Sequence, residues 1–187
     1  MNYREYQKSR DLAWEILLRE RVRALPVDVL QICKRLGIRV VQLREPRAEA
    51  GDGYSCIIEG VPYICIASDA PHARRRFTVA HELGHILLGH VGKHQLVNRE
   101  PSPDDDPIEQ AANVFAARLL APACVLWGCK ATSAEEIATL CDISRTAAEI
   151  RAERMKILAE RGRFCTSPLE RRVYRRFRKY IKEHQKR

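Results

Sequence analysis

The chain has 187 residues, 45% hydrophobic and 30% charged, enough to bury the core of one domain and a small second subdomain. Its opening, MNYREYQKSRDLAWEILLRE, is too charged for a secretory leader, and no apolar run of about eighteen residues follows, so we expect a cytoplasmic protein with no membrane partner. The formal charge of +9 is uneven: residues 1–150 carry 19 Lys and Arg against 20 Asp and Glu, whereas residues 151–187 carry 14 against 4, so the basicity is a property of the C-terminal segment.

Tyr3 to Arg23 reads as a first helix and Pro26 to Leu36 as a second, stopped by Gly37, which tolerates the left-handed backbone of a helix cap. Ile38 to Leu43 follows as a strand. Gly53 to Ile58 and Val61 to Ala67 read as two more, joined at Glu59 and Gly60 by a tight hairpin. Pro62 lacks a ladder donor, which puts it on an edge or at the start of its strand. A free edge on so small a sheet would either accept an extended peptide as one more strand or be covered by loops.

The motif helix is expected to start near Pro71 to Arg74, and its segment FTVAHELGHILLG is the most informative in the chain. At 3.6 residues per turn it is apolar or small except for Thr78, His81, Glu82 and His85, which share one stripe. Imidazoles and a carboxylate on a buried helix need partners, because leaving them desolvated and unpaired costs several kcal/mol. His81 and His85, at i and i+4, can direct two ring nitrogens to one tetrahedral metal ion, with Glu82 beside it. This is the HExxH pattern, in which the glutamate is a general base rather than a ligand. The alternative is a buried helix whose histidines are satisfied by backbone carbonyls.

A third ligand must come from elsewhere. The stretch HVGKHQLVNREPSPDDDP, with three prolines and three successive aspartates, reads as a lid or as a surface loop. It contains His90 and His94, but a HExxHxxGxxH site needs glycine and histidine where Leu88 and Val91 stand. Both histidines are therefore read as surface groups or as supports beside the ligands. Next, Asp106 and Pro107 form a helix start, and IEQAANVFAARLLAP runs in helical period to Pro122. Glu109 and Asn113 share a face, and the alanines allow close packing against the motif helix. Glu109 is either the third ligand or the N3 member of a capping box on Asp106.

RFTVAHELGH followed by EQAANVFAARLLAP resembles the ImmA/IrrE family of metallopeptidases, over most of residues 26–125. The resemblance implies zinc ligands His81, His85 and Glu109, a catalytic Glu82, and Asn113 in support of the ligands. It also implies a zinc endopeptidase, one Zn2+ per chain, acting on a helix-turn-helix repressor, as family members do within mobile elements and stress circuits. Another divalent ion is compatible with the same ligands.

Beyond Cys129 the pattern is helical. Ser133 with Glu136 makes a capping box for a helix reaching Cys141, and Ser144 starts another reaching Glu160. Ala138, Ile143 and Ala148 are placed as in a helix-turn-helix, although Asp142 stands where glycine is common, and a helical pair packed on the core is the competing reading. In SPLERRVYRRFRKYIKEHQKR, Leu169, Val173, Phe177 and Tyr180 form an apolar stripe under arginines and lysines, which either docks on its own domain or binds nucleic acid, an acidic partner or a membrane surface. Seven cysteines without a CxxC pair read as reduced core residues; Cys124 and Cys129 lack the second pair a zinc clip needs.

The expected architecture is therefore α+β, a small, mostly antiparallel three-stranded sheet packed on the HExxH helix and followed by a helical C-terminal region. Residues 1–130 would form the peptidase domain and 131–187 a helical subdomain with a basic tail. The alternative function is a nucleic-acid-binding regulator on the same scaffold, using the helical pair and the tail.

Overall fold

Alternation of period two between Gly53 and Ala67 closes into a hairpin with the expected ends: β2 spans Gly53–Ile58 and β3 spans Val61–Ala67. Glu59 and Gly60 both take positive φ, 50° and 79°, the twist-matched geometry of a two-residue hairpin turn. The computed structural model describes residues 2–44, 52–92 and 106–185. Before the hairpin come helix α1 (Tyr3–Arg19), helix α2 (Val29–Arg35) and strand β1 (Arg39–Leu43). Among the described residues these strands form one sheet in the order β1-β3-β2, antiparallel between β2 and β3 and parallel between β1 and β3. The sheet is thus mixed, because β1 enters beside the hairpin's second strand rather than its first.

β3 is the central strand, and Ile64 to Ala67 are buried on both of its faces. Pro62 sits at its start, opposite Ile57 of β2 and one residue before the β1 ladder begins at Tyr63. Its missing N–H therefore costs β1 no ladder bond.

Helix ends follow local chemistry. α1 stops at Arg19 rather than Arg23 because Arg21 turns left-handed (φ 54°), and Val22 N–H then closes on Leu17 O at 2.9 Å. α2 starts at Val29 rather than Pro26 because the Asp28 side chain accepts from Gln31 N–H at 2.9 Å, the role in which aspartate excels.

After the hairpin, helix α3 (His72–Leu88) carries the HExxH motif and packs on β2 and β3, with α2 also against it. Arg75 Nη1 donates to the carbonyls of Ser68 and Ala70, and Arg74 pairs with Asp52, fixing the entry of α3 to the sheet. Helix α4 (Pro107–Leu120) opens on Asp106, whose Oδ1 accepts from Ile108 N–H at 2.8 Å. The stretch read as a lid, with His94, lies largely outside the described residues.

The remaining elements are α5 (Ala123–Gly128), α6 (Ala134–Cys141), α7 (Arg145–Glu160), α8 (Pro168–Arg176) and α9 (Arg178–His184). The expected capping box of Ser133 and Glu136 is present, and Ser144 caps α7. Asp142 adopts the left-handed geometry (φ 52°) that glycine commonly takes in such turns, as a short polar side chain can. The basic tail is two helices rather than one, divided at Phe177. Of its apolar stripe, Val173, Phe177 and Tyr180 are buried and Leu169 is half-buried, and Ile181 is buried beside them.

The chain divides into two compact units, one of Met1–Arg10 with Asp28–Ala116 and the other of Asp11–Val27 with Ala117–Arg187. The core of the first is built from Ile32, Ile64, Val79, Leu83, Ala112 and Phe115; that of the second from Ile16, Leu17, Leu126, Ile137, Phe177 and Ile181.

Candidate metal centre

The motif helix buries Thr78, Val79, Ala80, Glu82, Leu83, Gly84 and His85, so its polar groups need internal partners. Thr78 is satisfied locally, its Oγ1 donating to Arg74 O at 3.1 Å. The other three polar groups of the stripe meet residues from outside the helix. His81 Nε2 and His85 Nε2 lie 2.9 Å apart, with Glu109 Oε2 3.1 Å from the first and Oε1 3.5 Å from the second. These groups lie within 4.8 Å of one another, a cluster able to hold a metal ion.

Close helix approach brings Glu109 there. A Cβ at Gly84 would lie 3.0 Å from the Phe115 ring and 3.3 Å from its Cβ, so the absence of a side chain in the motif admits Phe115 and draws α4 onto α3. On the other side, a Cβ at Gly53 would stand 2.6 Å from Thr78 Cγ2 and 2.7 Å from Cys65 O, so β2 lies equally close.

The residues fit a divalent ion on chemical grounds. His81 Nδ1 faces Asn113 Oδ1 at 2.9 Å; an amide oxygen only accepts, so Nδ1 carries the hydrogen and Nε2 keeps its lone pair. His85 Nδ1 faces His90 Nδ1 at 3.0 Å, and in the tautomer in which His85 Nδ1 donates to that ring, His85 Nε2 also keeps its lone pair for the cluster. Two imidazole lone pairs and a carboxylate then converge on one point and repel unless a cation sits between them. The separations of 2.9, 3.1 and 3.5 Å bracket the edge of a zinc tetrahedron with nitrogen and oxygen ligands, which is about 3.3 Å.

Glu82 stands apart from this set. It is only 3% exposed, and Ser55 Oγ donates to its Oε2 at 2.7 Å. The structure therefore brings His81, His85, Glu109, Asn113 and His90 together, with Glu82 anchored to β2.

His90 arrives through the cap of α3: Gly89 turns left-handed (φ 79°), His90 N–H bonds His85 O at 2.9 Å, and the two rings follow. The sequence carries the signal for that contact in Gly89. Ser55 has no such signal; only its place as an inward residue of a short strand, opposite Ile64, gives it the contact.

Comparison with known families agrees with this geometry. Residues 33–153 match the model of peptidase M78, described as the IrrE N-terminal-like domain. No curated protein matches the chain.

Proposed function

This chain belongs to the peptidase M78 family, with its IrrE N-terminal-like domain, and on that premise we propose that it is a zinc-dependent endopeptidase that cleaves a helix-turn-helix transcriptional repressor. The observation that carries the metal assignment is the meeting of His81 Nε2, His85 Nε2 and the Glu109 carboxylate, with both Nδ1 atoms engaged elsewhere. A peptidase acts on a protein; that the protein is a repressor rests on the family resemblance. A cytoplasmic setting belongs to the same reading, since seven free cysteines, six of them buried, suit a reducing compartment.

His81, His85 and Glu109 would hold the ion, and Asn113 and His90 keep the two rings turned towards it. The bound ion supplies Lewis acidity, which polarises a carbonyl and acidifies water. Glu82 manages the proton: its Oε1 takes it from the attacking water and returns it to the leaving amine nitrogen. Ser55 holds Oε2 and so aims Oε1, while the burial of Glu82 and His85 keeps bulk water from competing. β2 is an edge strand of the described sheet and carries Ser55, so an extended peptide pairing along it would lie beside Glu82.

The test has two parts. Purified protein should carry about one divalent ion per chain with zinc preferred, and His85→Ala or Glu109→Ala should lose it. Co-expression with a repressor encoded beside it should give one discrete fragment, which Glu82→Gln abolishes while keeping the metal. Metal-loaded protein that leaves every such repressor intact would overturn the substrate assignment. A Glu82→Gln protein that still cuts would remove Glu82 from the mechanism.

A further inference from the structure

Arg23, Arg172, Arg175, Arg176, Arg178, Lys179 and Lys182 line one open cleft of about 1140 Å³, together with a single carboxylate, Glu183. All of these residues belong to the second compact unit. Lys179 has Glu183 at 3.9 Å, whereas among the described residues no carboxylate pairs with the other six cations. Packing like charges around a concavity opposes folding, and low-dielectric walls focus the resulting potential. Such a cleft is built for an anion.

The lining also selects which anion. Five of the seven cations are arginines, whose planar forks match phosphate oxygens two at a time. A membrane surface would need an apolar face to insert, and the one these helices possess is spent: Val173 and Phe177 are 0% exposed and Ile181 is 2% exposed. An acidic protein would need large apolar or aromatic anchors, and the lining offers the half-buried Leu18, the small Ala24 and Tyr180, which is buried and stacked on His184 at 3.9 Å. The absence of an exposed ring in the lining also disfavours base stacking on single strands. Arg172, Arg175 and Arg176 lie on α8 and Arg178, Lys179 and Lys182 on α9, so the charges are spread over both helices, as contact with several phosphates of a duplex requires.

We propose that this cleft is a second binding site, independent of the metal centre, that takes the phosphate backbone of duplex nucleic acid without reading its sequence. Binding should be salt-sensitive and should depend on the cleft rather than on overall charge.

The experiment measures fluorescence anisotropy of a labelled duplex with the full chain, from about 50 to 200 mM salt. The wild type should bind, and the exposed triple Arg172→Gln/Arg175→Gln/Arg178→Gln should weaken binding at least about tenfold and flatten the log–log salt slope by about 2.7. Arg154→Gln/Arg161→Gln/Arg163→Gln removes the same charge from exposed positions outside the cleft and should leave binding within about twofold and the slope nearly unchanged. Glu183→Gln removes the only lining carboxylate and should tighten binding, a gain that misfolding cannot imitate.

No duplex binding at low salt overturns the proposal. So do equal losses in the two triples, or unaltered affinity in Glu183→Gln. Preference for phosphatidylserine vesicles or a polyglutamate peptide over duplex would assign the cleft to a membrane or an acidic protein instead.

Discussion

At the scale of single residues, the site divides into atoms that face the ion and atoms that hold those in place. Asn113 Oδ1 fixes the His81 tautomer from 2.9 Å, so Asn113→Ala should leave the fold intact yet weaken metal affinity, by about 10- to 100-fold as for other partners of ligating histidines. Competition with a chelator measures this directly, and unchanged affinity would show that His81 needs no support. Ser55 gives a contrasting case, because it touches Glu82 and none of the three clustered donors. Ser55→Ala should lower the cleavage rate while metal content stays at the wild-type level, since a buried carboxylate that loses its donor also loses its orientation. Loss of metal in that variant would show that Ser55 acts through the helix rather than through Glu82.

At the scale of elements, the site depends on how near α4 comes to α3, and Gly84 sets that distance. Gly84→Ala places a methyl 3.0 Å from the fully buried Phe115 ring, and overpacking of this kind costs about 1–3 kcal/mol. Both the thermal midpoint and metal affinity should fall, because α4 must retreat and carry Glu109 with it. Adding Phe115→Leu to Gly84→Ala should recover part of the metal affinity; no recovery would mean that the helix spacing is set elsewhere. The same elements show what is legible in a sequence. The hairpin from Gly53 to Ala67 could be read residue by residue because its period and its Glu59-Gly60 turn are local signals. Asp28 outcompeted Pro26 as a helix start for an equally local reason. The parallel pairing of β1 with β3 was not legible, since it joins residues such as Arg39 and Tyr63 whose partnership depends on the route of the chain. Glu109 lay between: its spacing fitted both a cap and a ligand, and only the approach of two helices brings it to the histidines.

At the scale of the whole molecule, the units interleave in sequence, and both bury ionisable groups in neutral form. Burial pushes the Cys33 thiol of the first unit from 9.0 up to about 12. In the second unit Cys129 rises to about 11, and Cys124 also rises, each chiefly by desolvation; Tyr180 is pushed to about 12 in the same way. A thiol whose pKa is raised on folding keeps its proton in the native state after the unfolded chain has released it. By linkage, its contribution to stability is full below the unfolded value near 9.0 and is lost as pH climbs towards about 12. The protein should therefore tolerate neutral and mildly alkaline conditions and then lose stability steeply, by an amount on the order of a few kcal/mol per fully buried thiol. Thermal midpoints taken at intervals from about pH 7 to 11 would show the descent. Cys33→Ala, which deletes one titrating group without adding charge, should make that descent shallower even where its absolute midpoint is lower. A midpoint that stays level through this range, or an equally steep fall in Cys33→Ala, would mean that the buried thiols do not govern alkaline unfolding.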